Sequence, residues 1–469
     1  MARYICEVCE FVYDEEKNEL AWDDLPEDWV CPVCASSKKY FKCMEQIPPI
    51  SKEAELPLTE EKEVIIDLKR TMADSEAHFM DIHEIAETGK TVFEPMRTKV
   101  FTLSWDEILI KGAQLAKIPL NHEHPVNTQT IIGPKAKKPL IINTPIYITH
   151  MSYGALSKEA KISLAKGSAA VKTAMCSGEG GILPESMEQA HKYIFEYVPN
   201  QYSVTEENLN RADAIEIKIG QSAKPGMGGH LPADKVTQEI ARIRGFEEGV
   251  DIISPPHFLD IKTREDLKKK VNWLREASLG KPIGIKIAAG NLEADLAVAL
   301  HASPDFITID GRTGSTGSSP KFVKASTSIP SIFALYRARK FLNEQGAADV
   351  SLVITGGLRV SSDFAKALAL GADAIAIGTT ALIAIGCQQY RVCNTGKCPI
   401  GIATQDPLLR SRLNVDEAAR KLENFLKVTT NELADFARLT GNNDVHKLAV
   451  TDLCTTISEI SNYTDIEHV

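Results

Sequence analysis

The sequence has no run approaching the roughly 20 apolar residues that a membrane-spanning helix requires, and its start, Met1-Ala2-Arg3-Tyr4, lacks the apolar stretch of a signal peptide. It has no Lys/Arg-rich stripe either. Its 53 basic residues face 63 acidic ones, and a net charge of −10 makes nucleic acid a poor partner. No candidate strand runs into GxGxxG, so the opening of a doubly wound dinucleotide-binding sheet is missing. These absences predict a cytoplasmic protein with neither membrane nor nucleic acid as partner. Its acidic surface suits selection among redox proteins.

What is present begins with cysteine. Seven of the ten cysteines fall into two tight clusters, while Cys43, Cys176 and Cys454 are scattered. In a reducing compartment such clustering argues for metal ligation over disulfides. The first cluster, Cys6-Glu-Val-Cys9 and Cys31-Pro-Val-Cys34, has the spacing of one tetrahedral all-thiolate site, which holds zinc or iron. Residues 1–45 are dense in aromatics (Tyr4, Phe11, Tyr13, Trp22, Trp29, Tyr40, Phe41) yet too short to bury a sufficient core, so a metal has to supply what packing does not. Ile47 to Pro57 has the proline and charge content of a linker. The amphipathic stretches from Leu58 to Leu140, on either side of Trp105 to Leu115, are expected to form a helical lead-in. The expected divisions are therefore 1–45, 46–139, 140–412 and 413–469.

From residue 140 short β-rich runs alternate with helical patterns, the signature of a parallel sheet of βα units. The expected strands are Ile146–Met151, Ala169–Thr173, Ile215–Ile219, Asp251–Ser254, Ile283–Ile287, Phe306–Ile309, Leu352–Thr355 and Ala374–Ile377. Eight near-continuously apolar strands predict an α/β fold, a (β/α)8 TIM barrel whose active site sits at the C-terminal ends of the strands. Residues 413–440, with Leu422, Phe425, Leu426 and Leu433 at helical spacing, are expected to form one or two helices packing on the barrel.

Two resemblances follow. Tyr13-Asp14 and Asp24-Leu-Pro-Glu-Asp-Trp29, running into the second cysteine pair, with Phe41 close behind, make residues 3–42 resemble rubredoxin, whose one-iron site shuttles single electrons. Rubredoxins usually carry glycine after each cysteine pair, where φ is positive. Glu10 and Ala35 stand there instead, which predicts weaker amide-to-sulfur bonds and a lower potential. The second cluster, Cys387, Cys393 and Cys398-Pro399, suits an iron–sulfur cluster better than zinc because a fourth nearby ligand is missing, although a zinc completed by a distant His is the alternative.

From about residue 140 to 412 the chain resembles the FMN-binding central region of glutamate synthases. The match lies in Met151-Ser-Tyr-Gly-Ala-Leu-Ser157, Gly178-Glu-Gly-Gly181, Ile217-Lys-Ile-Gly-Gln-Ser-Ala-Lys-Pro-Gly226, Ile253-Ser-Pro-Pro256, Ile285-Lys286, Gly314-Ser-Thr-Gly-Ser-Ser-Pro320 and the cysteine run through Pro407. The resemblance implies a 3Fe-4S cluster on Cys387, Cys393 and Cys398, and FMN in the barrel mouth. Gly356, Gly357, Gly378 and Thr379 would present amides to the phosphate, and Ser152, Gly154, Gln221, Gly314 and Gly317 would add to the pocket. Lys286, at the end of a buried strand, needs a charged partner or ligand. The family role is to face the electron-rich N1/C2-carbonyl side of the flavin; a salt bridge to a barrel acid is the alternative. Lys286, Glu179 and Lys218 are the expected catalytic residues.

Glu179, Lys218, Lys224 and Arg244 fall on the family positions around a dicarboxylate such as 2-oxoglutarate. His230 and Cys176 depart from the family pattern, His230 acting as a titrating donor, a specificity element or a neutral hydrogen-bonding substitute. The implied reaction is reductive amination of 2-oxoglutarate to L-glutamate. Electrons would come from a ferredoxin or an NAD(P)H-dependent reductase subunit, and ammonia would be free or from a partner glutaminase. The alternatives are a flavoenzyme of another 2-oxo or amino acid, or a non-catalytic electron carrier.

Overall fold

The computed structural model describes residues 2–18, 20–44 and 76–469, so the linker expected over 47–57 lies outside the described residues. The chain divides into two compact units, Met1–Val92 and Phe93–Val469.

The first unit holds a three-stranded antiparallel sheet in which Arg3–Cys6 lies between Val12–Asp14 and Phe41–Cys43. Its core is aromatic. Tyr13, Trp22 and Leu25 are buried, with Tyr4, Phe11, Trp29 and Phe41 packed against them, and Tyr4 stacks on Trp22 at 4.3 Å. Ring area substitutes here for the aliphatic volume that so short a chain lacks.

The second unit is a closed barrel of eight parallel strands: β1 (Ile146–Ile148), β2 (Ala174–Cys176), β3 (Lys192–Tyr197), β4 (Ala214–Lys218), β5 (Ile283–Ala288), β6 (Phe306–Asp310), β7 (Ser351–Thr355) and β8 (Ala374–Ile377), each paired with its successor and β8 with β1. The expected (β/α)8 architecture is thus the one observed. Six of the eight expected strands line up with it, and two do not. Ala169–Thr173 is the last turn of helix α1 (Lys158–Ala170) and the bend after it; its Ala-Ala-Val run reads as β-like but closes a helix. In Asp251–Ser254 only Ile252–Ile253 is extended, and that pair lies antiparallel to His230–Leu231 outside the barrel. Two barrel strands went unforeseen: β2, which begins just after the misplaced Ala169–Thr173, and β3, Lys-Tyr-Ile-Phe-Glu-Tyr, whose charged residues break the apolar run that marks the others. Of the lead-in expected to be helical over 58–140, residues 58–75 lie outside the described residues and Phe79–Thr88 is a helix, whereas the remainder holds short strands and a 3-10 turn. Trp105–Glu107 is one 3-10 turn capped by Ser104, and Ile108–Ile110 is a strand that pairs with Leu453–Thr455.

The barrel floor carries Phe306, Val353, Ala374, Ala214 and Ile194 in one apolar cluster. Residues 413–440 form one helix, α2 (Val415–Leu439), capped by Asn414 and burying Leu422, Leu426 and Leu433. It packs along α1, where Gly167 gives the room: a Cβ there would sit 2.8 Å from both the Ala419 carbonyl oxygen and Leu422 Cβ.

Candidate functional site

In the first unit the four thiols converge. The sulfurs of Cys6 and Cys34 lie 3.7 Å apart, those of Cys9 and Cys31 3.6 Å apart, and all four fall within 4.8 Å of one another. Tetrahedral bonds near 2.3 Å would separate neighbouring sulfurs by about 3.8 Å, so the residues fit one metal ion. Glu10 and Ala35 take the positive φ that glycine would, 63° and 56°. The amides of Phe11 and Ser36 therefore still reach Cys9 and Cys34. Burial pushes the Cys34 thiol up, but the Ser36 hydroxyl, 3.1 Å away, and the Ser36 amide outweigh it and bring it down.

In the second unit a cavity of about 260 Å³ opens where the strands end. It is lined by the loops after β1, β2, β4, β6, β7 and β8, the face on which barrel active sites sit. Lys161, on α1, ties two of these loops together by donating to the carbonyls of Met151 (2.8 Å), Cys176 (3.0 Å) and Ser177 (2.8 Å). Burial lowers its pKa to about 7 despite the nearby Cys176 and Glu196. Gly178 lies so close to the backbone of Met151 and Ser152 that no side chain fits.

One side of the cavity is rich in charge. Glu179 pairs with Lys218, and its pKa falls to about 2 because the charge of Lys218, that ammonium's hydrogen bond and the charge of Lys224 overcome burial. Lys224 has no carboxylate within 4 Å among the described residues; burial and repulsion by Lys218 lower its pKa to about 8. Arg244 is 8% exposed. Its Nη2 donates to the Tyr153 carbonyl at 2.6 Å, while its Nε lacks a partner. A buried and a partly buried cation with donors to spare are an anion site. His230 stands half-exposed at the rim, 2.9 Å from Asp251. Cys176 faces the barrel interior and does not line the cavity.

The other side is built from glycine. Gly356, Gly357, Gly378 and Thr379 line the cavity together with Ser152, Gln221, Gly314 and Gly317. Gly154 does not; its carbonyl accepts from Gln405 at 3.1 Å. Arg359 adds a cation beside Gly357, whose carbonyl takes its guanidinium. Cys387, Cys393 and Cys398 line the same cavity. Burial, then the charges of Cys398 and Cys387, push Cys393 up to about 12. Their sulfurs do not all come within 4.8 Å of one another, too wide for one ion but open to a multi-iron cluster. Lys235 donates to the carbonyls of Cys393 (2.9 Å) and Asn394 (3.3 Å), fixing the loop.

Sequence reasoning did not single out His150, Glu196, Glu216, Asp310, Lys235 or Arg359. One signal was readable. Glu216 and Lys218 sit two apart in an apolar strand, so both point to the same face.

Residues 71–443 match the family described as the conserved region in glutamate synthase, and residues 3–41 match rubredoxin. The chain is 37% identical over 395 residues to a Thermotoga maritima protein named archaeal-type glutamate synthase (NADPH), covering 79% of this chain and 78% of that one. It is 38% identical over 400 residues to a Methanocaldococcus jannaschii archaeal glutamate synthase (NADPH), with 79% and 78% covered. Against a Rhizobium meliloti glutamate synthase large subunit-like protein it is 36% identical over 399 residues, with 81% and 90% covered.

Proposed function

The chain belongs to the glutamate synthase family of oxidoreductases and carries a rubredoxin domain at its N-terminus, and we propose that it reductively aminates 2-oxoglutarate to L-glutamate as an iron–sulfur flavoprotein. The observation that carries the substrate class is the pair of the buried Arg244 and the partly buried Lys224, cations in one cavity with donors free for a dicarboxylate. Glu179 and Lys218 form a fixed pair beside them, so Lys218 stays charged while its partner holds its orientation.

The groups this activity needs have residues suited to hold them. Gly356, Gly357, Gly378, Thr379 and Arg359 would take the phosphate of FMN, Lys286 and Gln221 its ring, Cys387, Cys393 and Cys398 a 3Fe-4S cluster, and Cys6, Cys9, Cys31 and Cys34 one iron. When bound, the iron centres supply single electrons and FMN supplies the hydride. The chain's own share is to orient the dicarboxylate by Lys224 and Arg244, to keep bulk water out of a mouth walled by six loops, and to set the charge around the ring. The electron donor is a ferredoxin or an NAD(P)H-dependent reductase subunit, and ammonia is free or delivered by a glutaminase.

Protein purified without oxygen should carry FMN and about four irons per flavin, one plus three. With reduced ferredoxin, 2-oxoglutarate and ammonium it should form glutamate, and Lys224→Ala should keep flavin and iron while losing turnover. Flavin and iron at full content with no glutamate formed by the wild type would reject the synthase assignment.

A further inference from the structure

TIM-barrel interiors are normally filled by layers of branched aliphatic side chains. Directly beneath this cavity the layer is charged. Glu196 on β3, Glu216 on β4, Lys286 on β5 and Thr308 on β6 all turn inward, each under 5% exposed, and His150 joins them from the end of β1. Register explains the meeting: Glu196 pairs with Glu216, and Lys286 with Thr308, on adjacent strands.

The two carboxylates are not equivalent. Glu216 accepts from the Thr308 hydroxyl and lies 3.0 Å from His150 Nε2. Glu196 has less. Its Oε2 is 3.7 Å from His150 Nδ1, and its Oε1 has no hydrogen-bond partner although it is buried; that oxygen lies 4.0 Å from Lys286 Nζ. Both Glu196 and Lys286 line the cavity, and Glu216 does not.

His150, Glu196 and Glu216 have the spacing of a metal chelate, their ligand atoms all within 4.8 Å. The backbone argues against that use. Gly178 N–H donates to His150 Nδ1 at 3.2 Å, so Nδ1 is the acceptor and the ring proton sits on Nε2, the nitrogen that faces Glu216. A histidine that ligates through one nitrogen donates a proton from the other, and Gly178 takes that option away. The cation that answers Glu196 is Lys286.

We propose that Glu196 is a positioning residue for Lys286: it fixes the ammonium under the cavity and offsets its charge, and the pair thereby sets how readily a flavin in the cavity accepts electrons. The inference rests on the flavin reading of the cavity. Reduction adds negative charge to the flavin, so a buried carboxylate nearby opposes it and an ammonium favours it. Removing either member of the pair must therefore move the potential, with opposite signs.

The test measures FMN content by absorbance and the flavin midpoint potential by dye equilibration, at one pH, on the full chain. Glu196→Gln should retain FMN and shift the potential to more positive values. Glu196→Asp, which keeps the charge, should stay close to the wild type, and Lys286→Gln should shift the potential to more negative values. An unchanged potential in flavin-loaded Glu196→Gln overturns the proposal. So does a shift of the same sign in Lys286→Gln, which also decides the matter if Glu196→Gln does not fold. A stoichiometric divalent metal in the wild type that is lost with Glu196→Gln overturns it as well. Wild-type protein that binds no FMN would instead overturn the flavin reading.

Discussion

Glu179 shows how one largely buried residue is held ionised by its neighbours. Lys218 and Lys224 lower its pKa from 4.5 to about 2 against the pull of burial. The folded-state pKa is depressed, so the stabilisation is fully present above the unfolded value and is lost as pH falls from about 4.5 toward 2. The shift corresponds to something on the order of 3 kcal/mol. Glu179→Gln should therefore be less stable than the wild type at pH 7, and the gap should shrink markedly by pH 3. Denaturant midpoints of the barrel transition at both pH values check this, and an equal gap at both would mean that the carboxylate charge is not what stabilises. At this scale the sequence was informative about function but not about pairing. Lys218, Lys224, Arg244 and Glu179 were legible through the resemblance. His150 and Glu196 were not, because a histidine before Met151 and a glutamate in a mixed strand carry no local mark of facing the same interior.

At the scale of elements, the contact between α1 and α2 is set by one glycine. In an exposed helix Gly→Ala is worth up to about 1 kcal/mol of stabilisation. At Gly167 the added methyl would meet the Ala419 carbonyl oxygen and Leu422 at 2.8 Å, and overpacking of this kind costs about 1–3 kcal/mol. Gly167→Ala should lower the barrel's thermal midpoint rather than raise it; a rise in a melting curve would show that the helices separate freely. The strands teach a related lesson. Those covered on both faces, such as Leu352–Thr355 and Ala374–Ile377, were legible as apolar runs. Lys192–Tyr197 was not, since it buries a glutamate, and Ile252–Ile253 imitated a barrel strand because two isoleucines carry the same pattern in a short excursion. Hydrophobicity reports burial, and burial by a barrel and by a small antiparallel pair look alike in sequence.

At the scale of the whole molecule, the two units rest on different sources of stability. The barrel closes an eight-strand ring around continuous apolar clusters. Among its described residues the first unit has one buried cluster, Tyr13, Trp22 and Leu25, and four thiols that converge on one point. Its fold should depend on the metal, because so small a core does not offset chain entropy alone. Stripping the metal, or Cys9→Ser, should abolish amide-exchange protection in residues 2–44 while β1 to β8 keep theirs. Protection that survives metal removal would show that the aromatic cluster suffices.

The sequence by itself determined the two cysteine clusters, the rubredoxin and glutamate synthase resemblances, and the barrel. Their signals are local: CxxC turns, cysteines a few residues apart, and strands marked one at a time. Tertiary structure alone decided what those strands enclose. Closing β8 onto β1 brings the ends of distant strands to one mouth, and parallel register sets Glu196 beside Glu216 and Lys286 beside Thr308. A charge cluster assembled from five strands has no spacing in the chain, because its geometry belongs to the closed sheet.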